Sequence, residues 1–262
     1  MDPRAYDLDG FVVVQDLFTM DEAARTAQQA IRAAGPGPSF RHGLVARSPG
    51  LWPILVHRGL LQEVAQAVGA TCRCLPGIDS VGVGHAEAEP HRDASPEELP
   101  CLASPKPTQP YDVVRVITYP SPGPSLFGVL PGSHLIPGSS EDAMAWMADS
   151  WRWLELGPRD AVFFDPRLVH AGWRAGRRVM IVLTYGGGGP GTIETYFDAR
   201  IRTAGLGFSD PNPALVRLLR RRHLFLEASA DLACWRHYES MWGRRELGQP
   251  ASSPSTGGVQ HP

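Results

Sequence analysis

The amino-acid sequence predicts a mainly β fold with flanking helices, of the sandwich or jelly-roll kind. Three observations carry that expectation. Between residues 71 and 186, short apolar runs recur between turns that carry Pro and Gly, the pattern of two-sheet all-β domains. Glycine and proline number 28 and 25, enough for many chain reversals without reaching low-complexity composition. Helical spacing of apolar residues is confined to the two ends of the chain and one insertion. With 262 residues, 43% hydrophobic and 20% charged, the chain can bury well over half of its unfolded surface, so it needs neither disulfides nor a structural metal to fold.

The elements follow in order. Phe11-Val-Val-Val-Gln15 reads as a first strand. Thr19 is placed to cap a helix with Asp21 and Glu22 in its first turn. That helix runs through Ala23, Ala24, Ala27, Ala30 and Ile31 and stops at Gly35-Pro36. Residues 35–50 are rich in Gly, Pro and Arg and read as a loop, and a second helix spans about 60–68 before Gly69. Strands are expected at 71–75, 78–84, 112–119, 125–130, 152–156, 161–165 and 177–185, with turns at 121–124 and 157–160. The insertion 141–151 reads as helical. The Pro-rich stretch 94–110 is long for a loop, and loops of that length often act as lids. Leu215, Leu218, Leu219 and His223 have helical spacing, and a further helix is expected at 232–242. Residues 1–248 are read as one domain and 249–262, rich in Ser, Pro and Gly, as a disordered tail.

Composition also excludes partners. A net charge of −2 offers no electrostatic footprint for nucleic acid or an anionic membrane. The longest apolar runs, 11–14 and 179–183, fall far short of the roughly 20 residues that span a bilayer. No basic–apolar–small pattern opens the chain, so a cytoplasmic protein that takes a small-molecule substrate is expected. Cys72, Cys74, Cys101 and Cys234 show no C-x-x-C spacing and are expected to be buried free thiols.

The residues that carry chemistry are His91-Arg92-Asp93 and, far downstream, His170. Alternate residues of a strand share a face, so His91 and Asp93 can converge while Arg92 points away. A second imidazole from a distant strand completes a two-histidine, one-carboxylate set. Such a triad leaves coordination positions open and suits non-haem Fe(II). Two further signals accompany it. Pro131-Gly-Ser-His134 follows the central strands, and Gly157 to His170 passes through a turn and an apolar strand to the second ligand. Arg177-Arg178 then opens the apolar run 179–185, with Arg178 eight residues beyond His170. Neighbours on a strand face opposite ways, so one of the two guanidiniums can face inward and grip a carboxylate in bidentate fashion.

In this order of motifs, from Asp9-Gly-Phe-Val through His-x-Asp, Pro-Gly-Ser-His and Phe-x-Asp-x-x-x-x-His to an Arg before an apolar strand, the chain resembles the phytanoyl-CoA dioxygenase family over roughly residues 7–187. The resemblance implies a double-stranded β-helix (a cupin-like jelly roll) with helices outside it. It implies Fe(II), 2-oxoglutarate as co-substrate and O2, with decarboxylation of 2-oxoglutarate to succinate and CO2 as a bound substrate is oxidised. Carried across, His91, Asp93 and His170 are the metal ligands, and Arg178, or Arg177 if the register is shifted by one, binds the distal carboxylate. The stretch 171–176 after His170 is shorter than is usual in the family, Arg92 is an unusual neighbour of the ligands, and 100–110 matches no family pattern. Asp93 stands where related halogenases carry Gly or Ala, which favours hydroxylation, desaturation or oxidative cyclisation over chlorination. The breadth of the family points to a small or medium natural product as substrate.

Competing assignments remain visible in the sequence. His85-Ala-Glu87 is a second H-x-acid pair, and His134, after a turn, reads as structural. Trp173 lies close to the pocket in sequence but fits packing as well as contact. A non-catalytic small-molecule-binding protein on the same jelly-roll fold is the alternative to an oxygenase.

Overall fold

The computed structural model describes residues 3–68, 72–84, 88–94, 112–123, 125–172, 178–188 and 212–225. Eleven strands among them form two sheets. They are β1 (Phe11–Val14), β2 (Ser39–His42), β3 (Arg73–Cys74), β4 (Ser80–Val83), β5 (Ala88–His91) and β6 (Val113–Thr118), followed by β7 (Ser125–Val129), β8 (Arg152–Leu156), β9 (Ala161–Phe164), β10 (His170–Gly172) and β11 (Val179–Gly186). The larger sheet has the order β1-β9-β6-β11-β4-β2, with β3 also pairing with β11, and the smaller has β5-β10-β7-β8. Every pairing is antiparallel. This is the predicted jelly-roll arrangement of strands with helices outside.

Alternation along the strands sorts the large sheet into two faces. Registry aligns Phe11 with Phe164, Phe164 with Arg115 and Arg115 with Thr184. The next row holds Val13, Val162, Ile117, Val182, Ser80 and His42. This face meets the small sheet, where the Phe127 ring lies 5.5 Å from Phe164 and His170 lies 4.8 Å from it. The other face carries Val114, Val116, Phe163, Ile181, Leu183 and Tyr185 and packs beneath the helices. β11 is therefore buried on both sides, which is why it reads as a continuous apolar run without alternation.

The helix Met20–Ala34 covers that outer face. Thr19 and Glu22 form a reciprocal capping box: the Thr19 hydroxyl accepts from Glu22 N (3.2 Å), and Glu22 Oε2 accepts from Thr19 N (2.8 Å). Its buried residues are Ala23, Ala27, Ala30 and Ala34. All are small, so the helix lies close to the sheet. Ala24 and Ile31 face solvent instead. The helix expected at 60–68 runs from Arg58 to Val68, the insertion folds as Ser140–Met147, and the helix expected around Leu215 to His223 spans Pro213–Arg221 with Leu215 and Leu219 buried.

Several expectations need correction. Residues 35–50 are not a plain loop: they hold β2, a short helix Leu44–Arg47 and a 3-10 turn Pro49–Leu51. Their order comes from a distant carboxylate. Buried Asp79 accepts from Val45 N at 2.6 Å and from Gly77 N at 2.9 Å, while its carbonyl accepts from Gly43 N. Burial raises the Asp79 carboxyl pKa, and these backbone donors oppose the rise. Gly43 turns the chain with φ +64, open to glycine at little cost. An unpredicted helix, Pro3–Asp9, precedes β1. The strand expected at 71–75 is reduced to two residues. The stretches 95–110, 189–211 and 226–262, with Cys101, Cys234, the second C-terminal helix and the tail, lie outside the described residues. Cys72 and Cys74 are buried free thiols as expected; burial pushes the Cys72 thiol up to about 12 and holds Cys74 well above the usual thiol range.

Gly10 locks the N-terminal segment to the centre of the molecule. It has φ +80, and a Cβ there would lie 2.5 Å from His134 Nδ1 and 2.9 Å from Leu168 Cδ1. Its carbonyl also accepts from Asp165 N. Gly10→Ala combines left-handed strain with overpacking, so it is expected to destabilise the protein by about 2–4 kcal/mol in denaturant unfolding.

Candidate metal centre

His91 ends β5 and His170 begins β10, and the two are directly paired across the small sheet. Their rings lie 4.4 Å apart, centroid to centroid. The His91 Nδ1–H donates to Glu89 O (2.7 Å) and the His170 Nδ1–H donates to Leu168 O (3.0 Å). A carbonyl partner requires the proton on Nδ1, so each neutral ring presents an unprotonated Nε2. Both Nε2 atoms face Asp93, at 3.7 Å for His91 and 3.6 Å for His170. One ligand atom from each of the three residues falls within 4.8 Å of the others. The set could hold one metal ion with nitrogen and oxygen donors.

Asp93 does not share a strand with His91. β5 stops at His91, and the chain bends so that Asp93 N and Ala94 N both donate to Pro166 O at 2.9 Å. The two ligands converge through this bend and not through strand alternation. Arg92 points away, as expected. Its guanidinium donates to the carbonyls of Ser133, Ile136 and Gly138 at 2.7–3.0 Å. The Ser133 hydroxyl in turn accepts from Val169 N at 2.8 Å, next to His170. Pro131-Gly-Ser-His134 is thus the buttress that ties the His91–Asp93 segment to the His170 strand. His134 is structural: it is buried, contacts Asp7 O at 3.1 Å, and is held below the usual histidine pKa by desolvation.

His170 is buried against Phe127 and Phe164. Desolvation is the main cause that lowers its pKa to about 4, so it is a neutral imidazole in the metal-free protein near pH 7. His91 is 44% exposed at its side chain, so the site opens on its side.

Arg178 is buried just before β11. It stacks over the Tyr119 ring at 4.7 Å and donates from Nη1 to Leu126 O at 3.2 Å. Among the described residues, no carboxylate pairs with it. Leu126 is three residues along β7 from Val129, the partner of His170, which sets Arg178 about 10 Å from the triad at the usual strand rise. The hydroxyl of Tyr119, whose ring this guanidinium covers, is buried with no hydrogen-bond partner among the described residues, and burial pushes its pKa up to about 12. Arg177, Trp173 and the His85–Glu87 pair lie outside the described residues.

Two site residues escaped the sequence reading, Arg115 and Tyr119. Arg115 shares the inner face of β6 with Ile117, and Tyr119 follows directly after the end of that strand. The signal was present: strand alternation over 112–119 places Arg115, Ile117 and Tyr119 together, and an arginine at an inward position of an apolar strand is unusual.

No protein-family profile matches the chain, and no curated protein matches it by sequence. Solved structures match its fold. The epimerase SnoN, in complex with Fe3+, α-ketoglutarate and nogalamycin RO, superposes with a TM-score of 0.58 at 17% identity, over 70% of this chain and 81% of that one. AviO1 from Streptomyces viridochromogenes Tue57 gives 0.55 at 20% identity, over 70% and 92%. HygX from Streptomyces hygroscopicus, with nickel and 2-oxoglutarate bound, gives 0.51 at 19% identity, over 69% and 84%. The chain has the cupin-type jelly roll of these proteins.

The buttress has a measurable consequence. Ser133→Ala leaves Val169 N–H buried and unpaired. A stability loss of about 1–3 kcal/mol is expected in denaturant unfolding, with weaker Co(II) binding by titration as the His170 strand loosens.

Proposed function

We propose that this chain is a non-haem Fe(II)/2-oxoglutarate-dependent oxygenase of the phytanoyl-CoA dioxygenase type, acting in the cytoplasm. The observation that carries the reading is a pair of anion-accepting poles on one inner surface. One is the convergent set His91, Asp93 and His170; the other is the buried guanidinium of Arg178, about 10 Å away along the strand direction. A buried charge without a counter-charge is costly, and a dicarboxylate bound at both poles removes that cost. The residues fit the cofactor set: two imidazoles and one carboxylate are donors suited to Fe(II), and the Tyr119 hydroxyl is a buried donor with no partner among the described residues, on the ring over which Arg178 stacks.

Bound Fe(II), with 2-oxoglutarate and O2, supplies an oxidant that takes a hydrogen atom from the substrate as the co-substrate becomes succinate and CO2. The chain's own residues do the positioning. His91, Asp93 and His170 would hold the metal, and the exposed side of His91 would leave it accessible. Arg178 and Tyr119 orient the distal carboxylate, and Phe127 and Phe164 keep water from the His170 side. The exposed side of His91 faces the substrate. SnoN, of nogalamycin biosynthesis, is a neighbour in fold, which supports a small or medium natural product as substrate and hydroxylation, desaturation or oxidative cyclisation as outcome.

Anaerobic apoprotein given Fe(II) and then 2-oxoglutarate is expected to develop a visible metal-to-ligand charge-transfer band that His170→Ala abolishes. Absence of the band, with no iron retained, overturns the oxygenase reading in favour of a non-catalytic binding protein. In the same titration Arg178→Met is expected to raise the 2-oxoglutarate requirement about tenfold to a hundredfold, the worth of a charge-assisted hydrogen bond, with iron still bound. An unchanged Arg178→Met alongside a weakened Arg177→Ala would move the assignment to Arg177.

A further inference from the structure

Arg115 rises from the inner face of β6, between Phe164 on β9 and Thr184 on β11. Its Nη1 lies 3.2 Å from Asp93 Oδ2, and both side chains are only 16% exposed. The two histidines do not discriminate between the oxygens of this carboxylate: His91 Nε2 is 3.7 Å from Oδ1 and His170 Nε2 is 3.6 Å from Oδ2. Arg115 does discriminate, because it engages Oδ2.

We propose that Arg115 is a positioning residue that makes Asp93 a one-oxygen ligand. The inference rests on the metal reading given above and adds a role that neither the motif nor the fold assigns. A guanidinium on Oδ2 opposes two-oxygen chelation, since it competes for the lone pairs that a second metal bond would use. The consequence is one of coordination number. In a six-coordinate ion, two imidazoles and a one-oxygen carboxylate leave three positions, enough for a two-point co-substrate and O2. A chelating carboxylate would leave one fewer.

Charge acts in the same direction. Fe(II) with Asp93 would carry a net single positive charge, and Arg115 adds to the positive potential at the triad, while Arg178 faces the distal carboxylate. Arg115 suits this task because its rigid, permanently charged guanidinium reaches Oδ2 through Nη1, where a lysine would act as a mobile point charge.

The test separates positioning from simple support of the fold. Arg115→Met keeps the stem and removes the charge, and Arg115→Lys keeps the charge and removes the fork. Each is first checked for a native circular dichroism spectrum and a cooperative melt. In the Mn(II)-loaded proteins, water-proton relaxation counts the waters on the metal. About three are expected in the unaltered protein and about two in Arg115→Met, with Arg115→Lys between them. Mn(II) affinity is expected to hold or rise, as chelation adds a bond. The 2-oxoglutarate affinity of the Fe(II) form, read from the charge-transfer band, is expected to fall about tenfold.

An unchanged water count in Arg115→Met would overturn the proposal. So would a tenfold loss of Mn(II) affinity in a folded variant, since that marks mere support of the ligand. If the unaltered protein binds Mn(II) but never gives the 2-oxoglutarate band, the oxygenase reading fails while the water count still decides the role of Arg115. Should Arg115→Met not fold, Arg115→Lys and its water count carry the decision.

Discussion

Two hydrogen bonds to Ser133 hold the site together. Its carbonyl receives the Arg92 guanidinium, and its hydroxyl receives Val169 N–H. One bond fixes the segment that carries His91 and Asp93, and the other fixes the strand that carries His170. These segments are far apart in the chain, so their spacing cannot be set locally. A metal site tolerates only a few tenths of an ångström of error. Both bonds are buried, where each is stronger and its loss more costly than in water. The Gly10 segment packs against the same turn from the other side, with no room for a Cβ. The N-terminal β-strand, the Pro-Gly-Ser-His turn and the triad therefore form one mechanical unit.

Around that unit the inner surface carries much polarity among its apolar residues. Arg115, Tyr119 and Arg178 stand on it with Asp93, His91 and His170, and Thr184, Ser80 and His42 lie on the same face. Burying so much charge and polarity inside a jelly roll is unfavourable for stability. The sheet tolerates it because its other face carries a large apolar core: Val114, Val116, Phe163, Ile181, Leu183 and Tyr185 beneath the Met20–Ala34 and Arg58–Val68 helices. The division of labour between the two faces of one sheet follows from strand alternation alone. One face supplies the hydrophobic stabilisation, and the other is released for chemistry.

Burial also tunes the candidate ligands. The Phe127 and Phe164 rings desolvate His170 and keep it neutral well below pH 7. His91, with the same backbone-held tautomer, is open to solvent. The asymmetry gives the centre a dry wall and a wet mouth.

Much of this was legible in the sequence. The apolar runs at 112–119, 152–156 and 161–165 mark strands because their side-chain pattern and bounding turns are local properties. The Thr19–Glu22 capping box is equally local. The candidate ligands were visible because their residue types are chemically distinctive and their motifs ordered. What the chain alone did not decide is long-range. β2 and the Leu44–Arg47 helix looked like loop because their order depends on β4 and on the carboxylate of Asp79, more than thirty residues away. Asp93 converges with His91 and His170 by a bend held on Pro166, not by strand alternation. Arg115 and Tyr119 became site residues only when β6 was set opposite β5 and β10. Sequence determines what each segment can be and which groups it carries. Tertiary structure decides which groups meet, because cross-strand registry and the hydrogen bonds of buried turns join segments that have no local knowledge of one another.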